Sequence, residues 1–191
     1  MQNQRVALVT GGADGIGWAT AQQFAKAGWR VALFDLNGEQ SAERAKSLGH
    51  PHCGFRCDVT HAGEVQTRVA EVVALCGRID ALVNNAGYSI VVKFEDSPLS
   101  EWQRIQSINV DSMVIGIQAM LPLLKLGGKA RKSGASIVNL SSVGGKCGAA
   151  FNAAYCTSKA AVLMLTAAAA MKARPMSGRS PRPRAWNGGL Q

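Results

Sequence analysis

The chain has 191 residues, 47% of them hydrophobic, which suits one domain with a buried core; its formal net charge is +9. Residues 1–111 hold all 12 acidic residues and 10 of the 21 basic ones, whereas no acid follows Asp111 and 11 bases do. The positive excess therefore belongs to the C-terminal end rather than to a patterned face, and a nucleic-acid partner is not expected. No run of about 18 apolar residues stands out, so no membrane span is expected. The N-terminus lacks a cleavable signal pattern, and the five scattered cysteines read as reduced thiols, which together suggest a cytoplasmic protein.

Arg5–Thr10 (RVALVT) is a short β-branched run ending in glycines, the pattern of a buried strand. Residues 15–28 place Ile16, Ala19, Phe24 and Ala27 at helical spacing, with Gly28 where a C-cap belongs. Arg30–Asp35 predicts a second strand and Gly38–Leu48 a polar-faced helix. His52–Cys57 is a weaker third strand, Ala62–Cys76 a helix and Ile79–Asn84 a fourth strand. After a loop, Leu99–Leu126 reads as one long helix that Pro122 bends near its end. Ser136–Ser141 is a fifth strand, and an Ala-rich helix runs from Ala153 to about Lys172. Five alternations of strand and helix predict an α/β, Rossmann-type doubly wound parallel sheet in three layers. Residues 1–172 form this domain. Residues 173–191 are basic, rich in Pro and Gly, and without periodicity.

The first strand–helix turn is Thr10-Gly11-Gly12-Ala13-Asp14-Gly15-Ile16-Gly17. Glycines there let a backbone approach a pyrophosphate and turn helix N–H groups toward it. Asp35 ends the second strand, where a carboxylate accepts from adenosine ribose hydroxyls and repels a 2′-phosphate. Neither Asp14 nor Leu36 is replaced by an arginine that could hold such a phosphate, so NAD is expected over NADP. Tyr155 and Lys159 are four residues apart. On a helix they share a face, and an ammonium beside a phenol favours the phenolate. Alone, the pair reads more readily as a tyrosine capping a core next to a lysine in solvent. No metal is expected, and His50, His52 and His61 read as surface residues around the third strand.

Taken in order, Thr10-Gly11-x-x-x-Gly15-Ile16-Gly17, Asp58-Val59, Asn84-Asn85-Ala86-Gly87, Asn109, Ser142, Tyr155 and Lys159 resemble the short-chain dehydrogenase/reductases. The resemblance covers about residues 5–172. It implies an NAD(H)-dependent oxidoreductase that interconverts a secondary alcohol and a ketone. Tyr155 would be the general acid/base, Lys159 would assist it and bond the nicotinamide ribose, and Ser142 would bond the substrate oxygen. Asn109 would hold a relay water at a local break in the long helix. Asp58 and Val59 would meet the adenine, and Asn84, Asn85, Ala86 and Gly87 would line the ribose side and brace the sheet, with a purely fold-supporting turn the rival for Asn84. A small hydrophobic alcohol is expected between Tyr88–Val92 and Gly144–Phe151. A homo-oligomer, dimer or tetramer, paired through the long helix and the Tyr155 helix, is also implied.

The family continues past the Tyr155 helix with a strand, a Pro-Gly turn and a lid that this sequence does not match. The Pro-Gly turn would fall at Ala185-Trp186 and can be encoded there one base out of frame. A frameshift between about residues 172 and 180 is therefore expected, against the rival of a genuine basic tail for an acidic partner. Such a chain would be poorly active. A catalytically impaired NAD-binding or interaction protein that retains the fold is the alternative reading.

Overall fold

The computed structural model describes residues 4–129 and 135–173, with side chains described through Leu123 and from Ala135 to Ala170. Apart from Ala173, the basic segment 173–191 and the reading-frame expectation attached to it lie outside the described residues. Five strands, β1 (Val6–Thr10), β2 (Arg30–Asp35), β3 (Cys53–Arg56), β4 (Ala81–Asn84) and β5 (Ser136–Asn139), form one sheet in the order β3-β2-β1-β4-β5. Every pairing is parallel. The helices are α1 (Gly15–Lys26), α2 (Gly38–Ser47), α3 (Ala62–Cys76), α4 (Leu99–Gln106), α5 (Ser112–Lys129) and α6 (Ala153–Ala173).

Because strand side chains alternate, each central strand feeds two cores. Val9, Val31, Leu33 and Val83 point to one face, where α1 and α2 contribute Ala21 and Ala45. Val6, Leu8, Ala32, Phe34 and Leu82 point to the other, where α3 contributes Val65, Val69 and Val72 and α5 contributes Ile117 and Met120. This is the expected doubly wound arrangement. From β1 the chain builds outward to β2 and β3, then returns to place β4 and β5 on the other side. The direction of winding reverses between β1 and β4, and a crevice opens beyond their C-terminal ends.

Four local expectations need correction. The span from Leu99 to Leu126 is not one α-helix: a π-helical turn, Ser107–Asp111, separates α4 from α5. The widened turn lets Asn109 face inward while the Ser112 Oγ donates to the Ile108 carbonyl at 2.5 Å. The third, fourth and fifth strands are each shorter than expected. Just before β4, the Asp80 backbone bonds to Val6 and Ser136, and its carboxylate accepts from the Val6 N–H at 2.9 Å. His52 is half-buried rather than a surface residue, and its Nδ1 accepts from the Val31 N–H at 3.1 Å. Burial, followed by the charges of Arg30 and His50, pushes the His52 imidazole below its usual range. Finally, Ala153–Ala170 of α6 does reach the length and apolarity of a membrane-crossing helix, with a mean hydropathy of 1.3. In this fold, however, α6 packs against α4, the π turn and the turn after β5, and Val162 and Lys159 are buried.

Candidate active site

The Gly-rich turn after β1 is held to the end of β4 by Asn85. Its Nδ2 donates to the carbonyls of Thr10 and Gly11, each at 3.0 Å. The Thr10 Oγ1 in turn accepts from the N–H groups of Asn85 and Ala86 at 3.0 and 3.1 Å. Two polar side chains thus seal the sheet where it would otherwise splay. The turn itself needs its glycines. A Cβ on Gly17 would stand 1.9 Å from the Gly11 carbonyl oxygen, so α1 can start this close to the strand only without a side chain there. Gly15 has φ +53° and faces open space, which leaves its backbone approachable. Asp14 precedes α1 but makes no side-chain capping bond; it is exposed and lies outside both clefts described below.

The first cleft, about 530 Å³, is lined by Gly11, Asp35, Leu36, Asp58, Val59, Thr60, Ala86, Gly87 and Tyr88 among others. Asp35 is fixed at its rim by two backbone donors, Ala13 N–H at 3.1 Å and Asn37 N–H at 3.0 Å. The Asp58 Oδ1 accepts from the Thr60 N–H and hydroxyl at 2.9 and 2.7 Å, and His61 lies 3.2 Å from its Oδ2. Burial pushes the Asp58 carboxyl up, but the Thr60 donors and His61 outweigh it and hold the group below its usual value. A carboxylate lowered by folding contributes stability above its unfolded pKa and loses it as pH falls through the folded one. We therefore expect Asp58→Asn to flatten the loss of stability below about pH 4, measured by urea unfolding across the acid range.

The second cleft, about 480 Å³, shares Gly87 and Tyr88 with the first and adds Ile16, Asn85, Ser89, Leu140, Ser141, Tyr155 and Lys159. Lys159 is 4% exposed, and its Nζ donates to the Leu140 carbonyl at 2.8 Å and lies 5.7 Å from the centre of the Tyr155 ring. Burial lowers the pKa of this ammonium. Ser142 caps the short 3₁₀ turn Val143–Gly145, its Oγ accepting from the Gly144 N–H at 3.1 Å. A Cβ on Gly144 would be 3.6 Å from both the Ser142 Oγ and the Tyr155 ring, so these two groups flank the same glycine. Asn84 is buried elsewhere, donating from Nδ2 to the Asn139 Oδ1 at 2.8 Å and bracing β4 against β5 rather than lining a cleft.

Asn109 is fully buried in the π turn. Its Oδ1 accepts from the Tyr88 N–H at 2.7 Å, and its Nδ2 donates to the Tyr88 carbonyl and to the Ser158 Oγ, each at 2.9 Å. Asn109 Oδ1 and Lys159 Nζ flank Gly87, at 3.4 and 3.6 Å from where its Cβ would lie. Removing a buried group with three partners orphans each of them. Asn109→Ala is expected to cost about 3 kcal/mol, read as a lowered urea midpoint.

Several residues in or behind the clefts carry no signal of their own in the sequence. Ser141 lines the second cleft and donates to the Lys159 carbonyl at 2.7 Å, and Ser158 donates to the Tyr155 carbonyl at 2.7 Å. Arg104, Ser107 and Ile108 reach the first cleft from α4 and the π turn, with the Arg104 guanidinium 4.3 Å from the centre of the Tyr88 ring. Thr60 was findable, because a threonine two residues after an aspartate is the pattern of an Asx turn.

The fold and site define a doubly wound α/β protein whose Gly-rich turn and Tyr/Lys pair open on joined clefts at the switch point. The chain belongs to the short chain dehydrogenases, whose family model matches residues 5–177. It is 35% identical to a sorbitol dehydrogenase of Cereibacter sphaeroides, over 87% of this chain and 64% of that one. It is 39% identical to a D-threitol dehydrogenase of Mycolicibacterium smegmatis, over 83% of this chain and 60% of the relative. A cyclopentanol dehydrogenase of Comamonas sp. is 37% identical, over 92% and 69%. The crystal structure of a short chain dehydrogenase/reductase from Burkholderia phymatum in complex with NAD superposes with a TM-score of 0.81 at 28% identity, covering 86% of this chain and 58% of that one. The chain thus spans about two thirds or less of the length of most of these proteins.

Proposed function

We propose that this chain carries the cofactor-binding and proton-transfer machinery of an NAD(H)-dependent oxidoreductase that interconverts a secondary alcohol and a ketone. The observation that carries this reading is the joining of the two clefts at Gly87 and Tyr88, with the Asp35 carboxylate on one and Tyr155 and Lys159 on the other. The residues fit a nicotinamide dinucleotide. Gly15 leaves its backbone open, and the start of α1 is free of side-chain capping by Asp14 and favours an anion such as a pyrophosphate. Asp58 and Val59 line the first cleft as a wall for the adenine, and Asp35 accepts from ribose hydroxyls.

The bound cofactor supplies hydride exchange at its nicotinamide ring; the protein manages the proton. Tyr155 takes the hydroxyl proton during alcohol oxidation and returns it during ketone reduction. Ser142 accepts from Gly144 and so keeps its own hydroxyl proton to donate to the substrate oxygen. Lys159, anchored on the Leu140 carbonyl, holds its ammonium beside the Tyr155 ring. Asn109 positions the Tyr88 backbone that floors both clefts.

The substrate reading rests on the rim. Val91, Phe94, Val143 and Phe151 are exposed, and the Val92 N–H donates to the Phe151 carbonyl at 2.9 Å, which draws the two loops together. A small alicyclic alcohol suits these groups better than a polyol. The relatives include both kinds, named for cyclopentanol and for sorbitol and threitol. The test is steady-state reduction of NAD⁺ with cyclopentanol and with sorbitol: faster turnover of cyclopentanol supports the reading, and faster turnover of sorbitol overturns the substrate class. Cofactor binding without turnover of either supports the alternative, an impaired NAD-binding protein. Asp35→Asn is expected to narrow the preference for NAD over NADP about tenfold, measured as the ratio of dissociation constants. A cytoplasmic location and a homo-oligomer paired through α4, α5 and α6 belong to the same proposal.

A further inference from the structure

Two thiols meet at the end of the sheet opposite the clefts. Cys53 opens β3 and Cys76 closes α3, and both pack half-buried against the core that α3 and α5 share. The two side chains pack as neighbours on that core, and the Cys53 thiol donates to the Val31 carbonyl oxygen at 3.9 Å. Arg30 bridges the two segments, its Nε donating to the Pro51 carbonyl at 2.6 Å and its Nη1 to the Leu75 carbonyl at 2.9 Å. Interaction with Cys53 draws the Cys76 thiol down to about 7 against the effect of burial, and Arg30 adds to the lowering. Its neighbour Cys76 and burial push the Cys53 thiol up. Cys57 shows the contrast, since burial pushes that thiol up to about 12.

We propose that Cys53 and Cys76 form a modification site, a dithiol that a hydroperoxide oxidises to an intramolecular disulfide. The Cys76 thiolate attacks the peroxide: an S–O bond forms, the O–O bond breaks, and the departing hydroxide takes a proton to leave as water when the oxidant is hydrogen peroxide. Cys53 then attacks the Cys76 sulfenic sulfur. The S–S bond forms, the S–O bond breaks, and the hydroxide leaves as water with the Cys53 proton. Two thiols lose two electrons, and one peroxide gains them. The bridge closes residues 53–76 into a ring that carries Asp58, Val59 and Thr60, so the adenine wall of the first cleft becomes part of a covalent loop. The thiols stand at the other end of β3 from that wall, so the bridge forms without occupying the cleft. Cys147 is exposed, while Cys156 is buried in α6.

The experiment treats the reduced full chain with hydrogen peroxide, alkylates the remaining thiols and maps the peptides by mass spectrometry. A Cys53–Cys76 linked peptide that has lost two hydrogens is expected, with Cys57 and Cys156 still alkylated. In Cys53→Ser the resolving thiol is gone, and Cys76 should be trapped by dimedone as the sulfenic acid; in Cys76→Ser, Cys53 should stay alkylatable after peroxide. Separate alkylation of Cys53 and Cys76 in the peroxide-treated wild-type chain, or linkage of either to another cysteine, overturns the proposal. The wild-type map decides this by itself if a serine variant fails to fold.

Discussion

Under the proposed function, Tyr155→Phe is expected to lower kcat/KM for alcohol oxidation by about 10²–10⁴-fold, the range that a positioned general acid/base contributes. The ring stays, so its packing beside Lys159 stays with it, and Lys159 keeps its bond to the Leu140 carbonyl. Cofactor affinity and the urea midpoint should therefore change little. The loss is confined to turnover because Phe removes only the group that holds and returns the proton. Steady-state kinetics beside a calorimetric cofactor titration separate the two effects. A drop of kcat/KM below about threefold, or a parallel loss of cofactor affinity, would show that the hydroxyl does not do the proton transfer.

The second large effect is on stability. Gly17→Ala is expected to cost at least about 3 kcal/mol, because the new methyl has nowhere to go. It would stand 1.9 Å from the Gly11 carbonyl oxygen and 2.5 Å from the Asn85 Nδ2. Both obstacles are pinned: Asn85 bonds to the Thr10 and Gly11 carbonyls, and Gly11 belongs to the turn that Asn85 seals. Relief requires α1 to move off the sheet, which opens the core around Ala21 and Leu33. Gly15→Ala is the control. Its Cβ meets nothing within 4 Å, and only the φ of +53° opposes it, at a cost of about 1 kcal/mol. Urea unfolding of the two variants measures the difference, and equal losses would contradict the packing account.

The parts of the fold legible in the sequence are those with a local cause. The second strand runs from Arg30 to Asp35 and the third helix from Ala62 to Cys76, as their apolar periodicity and flanking residues predict. The weaker third, fourth and fifth strands lose residues at their ends. The division of the long helix has no periodic signature, since Ser107–Asp111 reads as ordinary helix; only the family resemblance implied a break near Asn109. The candidate site divides in the same way. The glycines, Asp35, Tyr155 and Lys159 declare themselves by type and spacing. Ser141, Ser158 and Arg104 do not, because their roles come from neighbours on other elements: Lys159, Asn109 and Tyr88. Asn84 keeps the bracing half of its expected role, joining two strands through its amide, and lines neither cleft.

Under the proposed function, the crevice between β1 and β4 holds a nicotinamide dinucleotide through its backbone turn and the Asp35 carboxylate. Hydrogen–deuterium exchange of the full chain with and without NAD⁺ tests it most directly. The account predicts saturable protection in the peptides that contain residues 11–17, 35–37, 58–60 and 85–88, and weaker protection at the same concentration of NADP⁺. Unchanged exchange in those segments at saturating NAD⁺, or protection confined to other parts of the sheet, would contradict it.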